Sequence, residues 1–279
     1  MENQINKKIL EVPVVIFVMD ERTKSLAQVC FEKLGFKNII IFDQKEGFSE
    51  KMERFFELVN SKEYKNAELF IRSDADRLVF KGIKDLIINS FNFIDNSDDG
   101  FLLSEGYGYE CFMEKLRGAT PHIYSRNIMN YILENKDTLI KDIQKPESHI
   151  GIHVRDTLSS FKFFNILTNL HEFEQFPSKM FNAFLNRIYR GHLSYYHLPN
   201  IFKSEYYGLP MKLAIKKANK KESNKESMTM NYTSNIPNEI INLDKKLGTI
   251  KEENLDKVYS FYLKTYNNLL ETFNKELTG

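Results

Sequence analysis

The sequence predicts an α/β fold: a mixed, mainly parallel sheet flanked by helices, with a helical extension towards the C-terminal end. Short, almost wholly apolar runs recur at residues 12–19, 38–42 and 67–71, the pattern of strands buried on both faces. Stretches with apolar residues at helical spacing separate them. Each run ends in acidic residues, which puts a carboxylate rim beyond the carboxyl ends of the strands, where such sheets bind ligands.

The elements follow in order. The run VPVVIFVM stops at Asp20-Glu21-Arg22-Thr23. Leu26, Val29, Cys30, Phe31 and Leu34 then mark a helix, and Gly35 stands where it would end. NIIIF is a second strand, followed at once by Asp43, and Ser49 could cap a helix carrying Met52, Phe55, Phe56 and Val59. The third strand is closed by Arg72-Ser73-Asp74-Ala75-Asp76. Alternation of this kind marks a doubly wound sheet with right-handed crossovers. Residues 80–94 read as a helix, 101–103 as a short strand, and 104–120, rich in Gly, Tyr and charge, as a functional loop. A strand at 121–124, helices at 127–133 and 147–159, a strand at 161–170 closed by His171, and an aromatic helix at 181–196 complete a domain spanning 1–208. Residues 209–237 turn polar and basic and read as a linker or mobile segment. In the tail, 238–279, Phe261, Leu263, Tyr266, Leu269, Leu270 and Phe273 form an apolar face that needs a partner surface and could mediate a homodimer.

Composition bounds the function. The 279 residues carry 39 Lys and Arg against 38 Asp and Glu, so a net charge of +1 gives no global attraction to nucleic acid. With 42% apolar residues the chain can build a core, and global disorder is excluded. Cys30 and Cys111 form no disulfide or zinc framework. The polar first eleven residues have no secretory h-region, and no apolar run approaches the ~20 residues of a membrane span. The expectation is a cytoplasmic protein. Lys212, Lys216, Lys217, Lys220, Lys221 and Lys225 could give it peripheral contact with the inner face of a membrane, although Glu222 and Glu226 interrupt the run.

Asp74-Ala75-Asp76 is the most informative motif. A turn at a strand end lets both carboxylates converge on one hard divalent ion, whose other positions water and substrate phosphates fill. Arg72 and Arg77 flank the motif and could grip a diphosphate as bidentate donors. Asp43 could accept hydrogen bonds from a ribose or base. His149 and His153 lie four apart on one helix face with no third ligand, which suits partly buried structural histidines, and His122, His192 and His197 have no comparable support.

In these landmarks and their order the sequence resembles the GT-A-type glycosyltransferases, Rossmann-like enzymes, and in layout their family 2 group, which uses nucleotide-sugar donors. The likeness covers about residues 12–175. It implies that Met19-Asp20-Glu21-Arg22 holds the nucleotide, and that Asp74 and Asp76 bind Mn²⁺ or Mg²⁺ with the diphosphate. It implies also that His171 completes the metal site and that Pro146-Glu147-Ser148-His149-Ile150-Gly151 supplies the acceptor-side base. The family's base is an Asp where this chain has Ser148, so the role falls to Glu147 or His149, both competent near pH 7. Glu172 and Glu174 could orient His171, and Glu105, Tyr107, Tyr109 and Glu110 lie where acceptors bind.

The activity so implied is metal-dependent transfer of a sugar from a nucleotide-diphosphate donor, a UDP-sugar foremost, to a hydroxyl of a glycan or lipid-linked acceptor, in bacterial surface glycan synthesis. Two other readings stay open. A sugar-nucleotide nucleotidyltransferase would normally carry a Gly-rich basic loop where this chain has Asp20-Glu21-Arg22-Thr23. A non-catalytic nucleotide- or sugar-binding protein would suit Ser148.

Overall fold

The structure is a computed structural model that describes residues 2–43, 47–141, 143, 145–171, 174–219 and 235–278. Its elements are α1 (Glu2–Leu10), β1 (Val14–Phe17), α2 (Lys24–Lys33), β2 (Ile39–Phe42), α3 (Phe48–Glu57), β3 (Leu69–Asp74), β4 (Arg77–Val79), α4 (Gly82–Asp95), β5 (Leu103–Glu110) and β6 (Lys115–Ser125). There follow α5 (Arg126–Glu134), α6 (Lys136–Leu139), α7 (Pro146–Asp156), β7 (Phe161–His171), α8 (Pro177–Tyr189), α9 (Leu198–Lys203), α10 (Gly208–Asn219), α11 (Asn238–Leu247) and α12 (Leu255–Thr278).

Seven strands form one sheet in the order β2-β1-β3-β6-β5-β7-β4. β1 runs parallel to β2 and β3, and β5 parallel to β7; β6 is antiparallel to β3 and β5, and β4 to β7. The sheet is therefore mixed rather than mainly parallel. The difference arises where a loop was expected at 104–120, because the chain there pairs into β5 and β6. Glycine density suggested a loop, yet Gly106 sits in a strand because the backbone of β7 crowds it: a Cβ there would lie 2.6 Å from the Ile166 carbonyl oxygen.

Period-2 alternation sorts the strand residues between two cores. Val15, Phe17, Phe70, Leu103 and Tyr124 pack with Phe55, Phe56, Ile128, Ile150 and Val154 under α3, α5 and α7. Val14, Ile16, Leu69, Ile71 and Ile123 pack with Ala27, Phe31, Ile83, Leu86 and Ile87 under α2 and α4. Positions 72 and 74 of β3 thus face the α3–α7 side, and that is where the charged groups gather.

One expectation about the C-terminal half is corrected. Residues 209–219, expected to belong to the linker, lie within α10, which buries Met211 and Ala214 against Phe181 and Phe184 of α8. Lys220, Lys221 and Lys225 fall outside the described residues. Of the apolar face expected to need a partner, Tyr266 and Phe273 of α12 pack on the chain's own Leu26, Cys30, Phe80, Leu167 and Leu170, while Phe261 stays 62% exposed. Among the described residues no helix is long and apolar enough to cross a membrane.

Candidate active site

β3 ends in a turn held from three directions. The Ala75 amide donates to the Phe17 carbonyl (3.0 Å), and the Thr23 hydroxyl donates to the Ala75 carbonyl (2.7 Å). The Gln175 amide in turn donates to Thr23 Oγ1 (2.7 Å). Ala75 is fully buried, so the turn presents Asp74 and Asp76 from a fixed backbone. A charged cluster stands behind each aspartate.

The first cluster centres on Arg72, 1% exposed, over the rings of Phe17 and Phe48. Its guanidinium meets Asp74 Oδ1 at 2.6 Å and Glu147 Oε1 at 2.7 Å. Asp74 Oδ2 also accepts from the Thr120 hydroxyl (3.1 Å). His122, directly opposite Arg72 in the β3–β6 register, has Nδ1 3.2 Å from Glu147 Oε1 and Nε2 2.9 Å from Glu105 Oε2. Acid and base alternate along Asp74–Arg72–Glu147–His122–Glu105. Burial pushes the Glu147 carboxyl up, but Arg72 and His122 outweigh it and hold it below its ordinary value. Asp74 moves the other way: burial raises it, Arg72 opposes, and Glu147 and Asp76 add to the rise.

The second cluster lies at the end of β7. His171 Nδ1 is 2.6 Å from Glu110 Oε2, and its Nε2 is 3.4 Å from Asp76 Oδ2. Arg77 Nη1 reaches Glu110 Oε1 at 3.3 Å and Asn169 Oδ1 at 3.5 Å. Glu110 is wholly buried; burial would raise it, but His171, Arg77 and Arg117 pull it down to about 2. Asp76 is likewise lowered, its burial outweighed by His171, Arg77 and Lys179. Among the described residues two buried atoms here have no hydrogen-bond partner: Asp76 Oδ1, which wants a cation or donor, and Arg77 Nε, which wants an acceptor.

A cavity of about 380 Å³ opens over the first cluster and reaches Arg77 of the second. Asp74, Glu105, His122 and Thr120 line it from the sheet, and Glu147, Ser148, Gly151 and Arg155 from α7. Helical period decides which α7 residues face inward. Ile150 and Val154 fix the buried stripe, Glu147 falls one turn before Ile150, and His149 is rotated out to solvent. Pro146 at the helix start leaves Glu147 in the first turn, where an anion is favoured.

The residues expected from the sequence divide accordingly. Asp74, Glu147 and Arg72 are brought together, but Arg72 is buried between two carboxylates and is not presented as a diphosphate clamp. Among the described residues no three His, Cys, Asp or Glu side chains are gathered for a metal ion. His149, exposed, stands apart from the cavity. At the end of β1, Asp20 is exposed; Glu21 accepts from the Met19 amide (2.6 Å) and pairs with Lys179. Arg22 pairs with Glu174 and donates to the Gly248 carbonyl (2.7 Å), so it ties β1 to the C-terminal helices. Asp43 pairs with Lys24 at the end of β2. Glu110, not Glu174, carries the His171 ring, and Glu172 lies outside the described residues.

Sequence reasoning passed over His122 and Thr120, and placed Glu105 and Glu110 on a loop. The available signal was alternation: 103 and 105 on β5, and 122 and 124 on β6, share the face of Arg72 once the two stretches are read as strands.

The fold and cavity define an α/β protein with a charged site at the carboxyl ends of its strands. No family model and no curated protein matches the chain. Among solved structures it is similar to a glycosyltransferase involved in the glycosylation of the major capsid of PBCV-1, at 12% identity and a TM-score of 0.36, over 57% of this chain and 93% of that one. At that distance the likeness carries no argument, and the functional reading rests on the site itself.

Proposed function

We propose that the protein is a glycosyltransferase that moves a sugar from a nucleotide-diphosphate donor, a UDP-sugar foremost, to a hydroxyl of a glycan or lipid-linked acceptor, with Mn²⁺ or Mg²⁺ at the donor diphosphate. The observation that carries the reading is the adjacent pair of unsatisfied buried groups, Asp76 Oδ1 and Arg77 Nε. One demands positive charge and the other an anionic oxygen. A cation-bound diphosphate satisfies both.

The residues fit such a cation in a restricted way. Asp76 and His171 would hold it, and the Glu110 carboxylate on His171 Nδ1 is the usual outer partner of a metal-ligating histidine. Two protein ligands suffice for an ion that keeps water and phosphate oxygens in its remaining positions. Bound there, the ion would neutralise charge on the departing diphosphate. Arg77 donates to the same diphosphate, and the cavity beside it receives the sugar and the acceptor. Asp74, held by Arg72 and Thr120, shapes the wall between them.

Asp76→Asn tests the reading. In wild-type protein, UDP with Mn²⁺ is expected to raise the melting temperature well above either alone, by linkage of binding to folding. In Asp76→Asn the unliganded melting temperature should fall, because the charge paired with His171 is gone, and the added effect of Mn²⁺, read against the variant's own unliganded value, should vanish. Undiminished Mn²⁺ dependence in the variant would place the cation elsewhere. Failure of UDP-, GDP- and dTDP-sugars alike to shift melting or release nucleoside diphosphate would remove the transferase reading.

A further inference from the structure

We propose that Glu105 is the catalytic base of this transfer, taking the proton of the acceptor hydroxyl on its Oε1 atom. The inference rests on the transferase reading above and moves the role away from Glu147.

Glu147 and Glu105 both line the cavity, but they are not equally free to accept a proton. Glu147 Oε1 lies 2.7 Å from the Arg72 guanidinium, a permanent positive charge, and 3.2 Å from His122 Nδ1. Both contacts fall on Oε1, but the permanent charge of Arg72 disfavours a proton on either oxygen of Glu147. Glu105 meets His122 through Oε2 alone, at 2.9 Å, and its Oε1 has no partner among the described residues. The chain of alternating charge therefore ends on a carboxylate that lines the cavity and has one oxygen without a partner among the described residues.

The backbone is arranged to put it there. Ser104 pairs with Ile123 but Gly106 with Ala119, so β6 carries two extra residues opposite Glu105. The register against β7 also shifts, from Phe163 opposite Glu105 to Leu167 opposite Tyr107. Bulges of this kind re-aim side chains. Pro121, which has no amide to donate, sits inside the β6 irregularity, between Thr120 and His122. Position 118 must be small as well: a Cβ there would lie 2.4 Å from Glu105 Oε1 and 2.9 Å from the Phe163 ring. Gly118 thus leaves the space that the Glu105 carboxylate occupies.

In the step itself, the acceptor hydroxyl gives its proton to Glu105 Oε1 while its oxygen forms the bond to the anomeric carbon. The bond from that carbon to the diphosphate oxygen breaks, and its electron pair leaves on the diphosphate beside Asp76 and Arg77. His122 is a positioning residue, because it orients Glu105 through Oε2. The protonated Glu105 returns its proton to solvent after the product leaves.

The test compares Glu105→Gln and Glu147→Gln with the full-length wild type. UDP-glucose, UDP-N-acetylglucosamine and GDP-mannose serve as donors with Mn²⁺, and water is the acceptor. Nucleoside diphosphate release gives kcat and KM, and thermal shift with the donor gives binding. Loss of a general base costs on the order of 100-fold or more in rate. Glu105→Gln is expected to lower kcat by at least about 100-fold while KM and the donor-induced thermal shift stay within about twofold. Glu147→Gln should lose less rate and should melt earlier, since it leaves Arg72 partly uncompensated. Gly118→Ala checks the geometry and should lower kcat by displacing Glu105 with donor binding kept. Donor binding intact with kcat of Glu105→Gln within about threefold of wild type would overturn the assignment and leave the transferase reading standing. No donor binding or turnover by the wild type would overturn both.

Discussion

Replacing Arg72 by methionine is expected to destabilise the protein by about 2–4 kcal/mol at pH 7. The guanidinium is 1% exposed and neutralises Asp74 and Glu147, each with a side chain 28% exposed. Removing one member of a buried ion network leaves its partners uncompensated, which costs about 3–5 kcal/mol when they are fully dry; partial exposure of the two carboxylates brings the figure down. Methionine keeps the contact with Phe17 and Phe48, so most of the loss is electrostatic. The pH dependence has a definite sign. In the wild type, Glu147 is held below its ordinary value, so its contribution is present above pH ~4.3 and fades as pH falls through the lowered value. Without Arg72 both carboxylates rise, and the folded variant takes up protons more readily than its unfolded chain. The deficit should therefore shrink between pH 7 and pH 4. Urea unfolding at several pH values measures it, and a deficit that is constant with pH would mean that Arg72 acts by packing alone. Asp74→Asn on top of Arg72→Met should recover part of the loss, because the sites couple.

Tyr266→Ala is expected to cost about 3–5 kcal/mol, as large aromatic truncations in cores do. The ring stacks on Phe80 with centroids 4.7 Å apart, and the hydroxyl donates to the Leu167 carbonyl (2.6 Å) and accepts from the Gly82 amide (3.2 Å). One side chain of α12 thus satisfies backbone groups of both α4 and β7. Gly82 belongs to the same arrangement, since a Cβ there would lie 2.0 Å from the Leu167 carbonyl oxygen. Tyr266→Phe keeps the ring and should cost only about 1–2 kcal/mol for the two unsatisfied groups. The midpoint of urea unfolding should fall with the m-value unchanged. A loss below about 1 kcal/mol for the alanine variant would show that α12 is an appendage and not part of the core.

How much of this was legible beforehand depends on the range of the interaction. The runs at 12–19, 38–42 and 67–71 announce β1, β2 and β3 because a strand buried on both faces must be apolar throughout. The apolar stripe of α7 already separates Glu147 from His149, since one helical period sets both. Glycines at 106, 108 and 118 misled, because local propensity treats them as loop formers. Their cause is non-local: the space each would fill belongs to β7, Asn169 or Glu105. The C-terminal helix showed its apolar face but not its partner, and a second copy of the chain was as good a guess as the chain's own sheet.

The boundary falls between short-range pattern and long-range register. Chain order and periodicity settle that Asp74 and Asp76 close a buried strand and that Glu147 opens a helix, because those facts need only neighbours a few residues away. Nothing local tells that Arg72 will be buried against Glu147, or that His122 will stand opposite it. Nor does anything local tell that two register shifts will turn Glu105 towards the same cavity. Those pairings join residues far apart in the chain, and they exist only after β3, β5, β6 and α7 have packed.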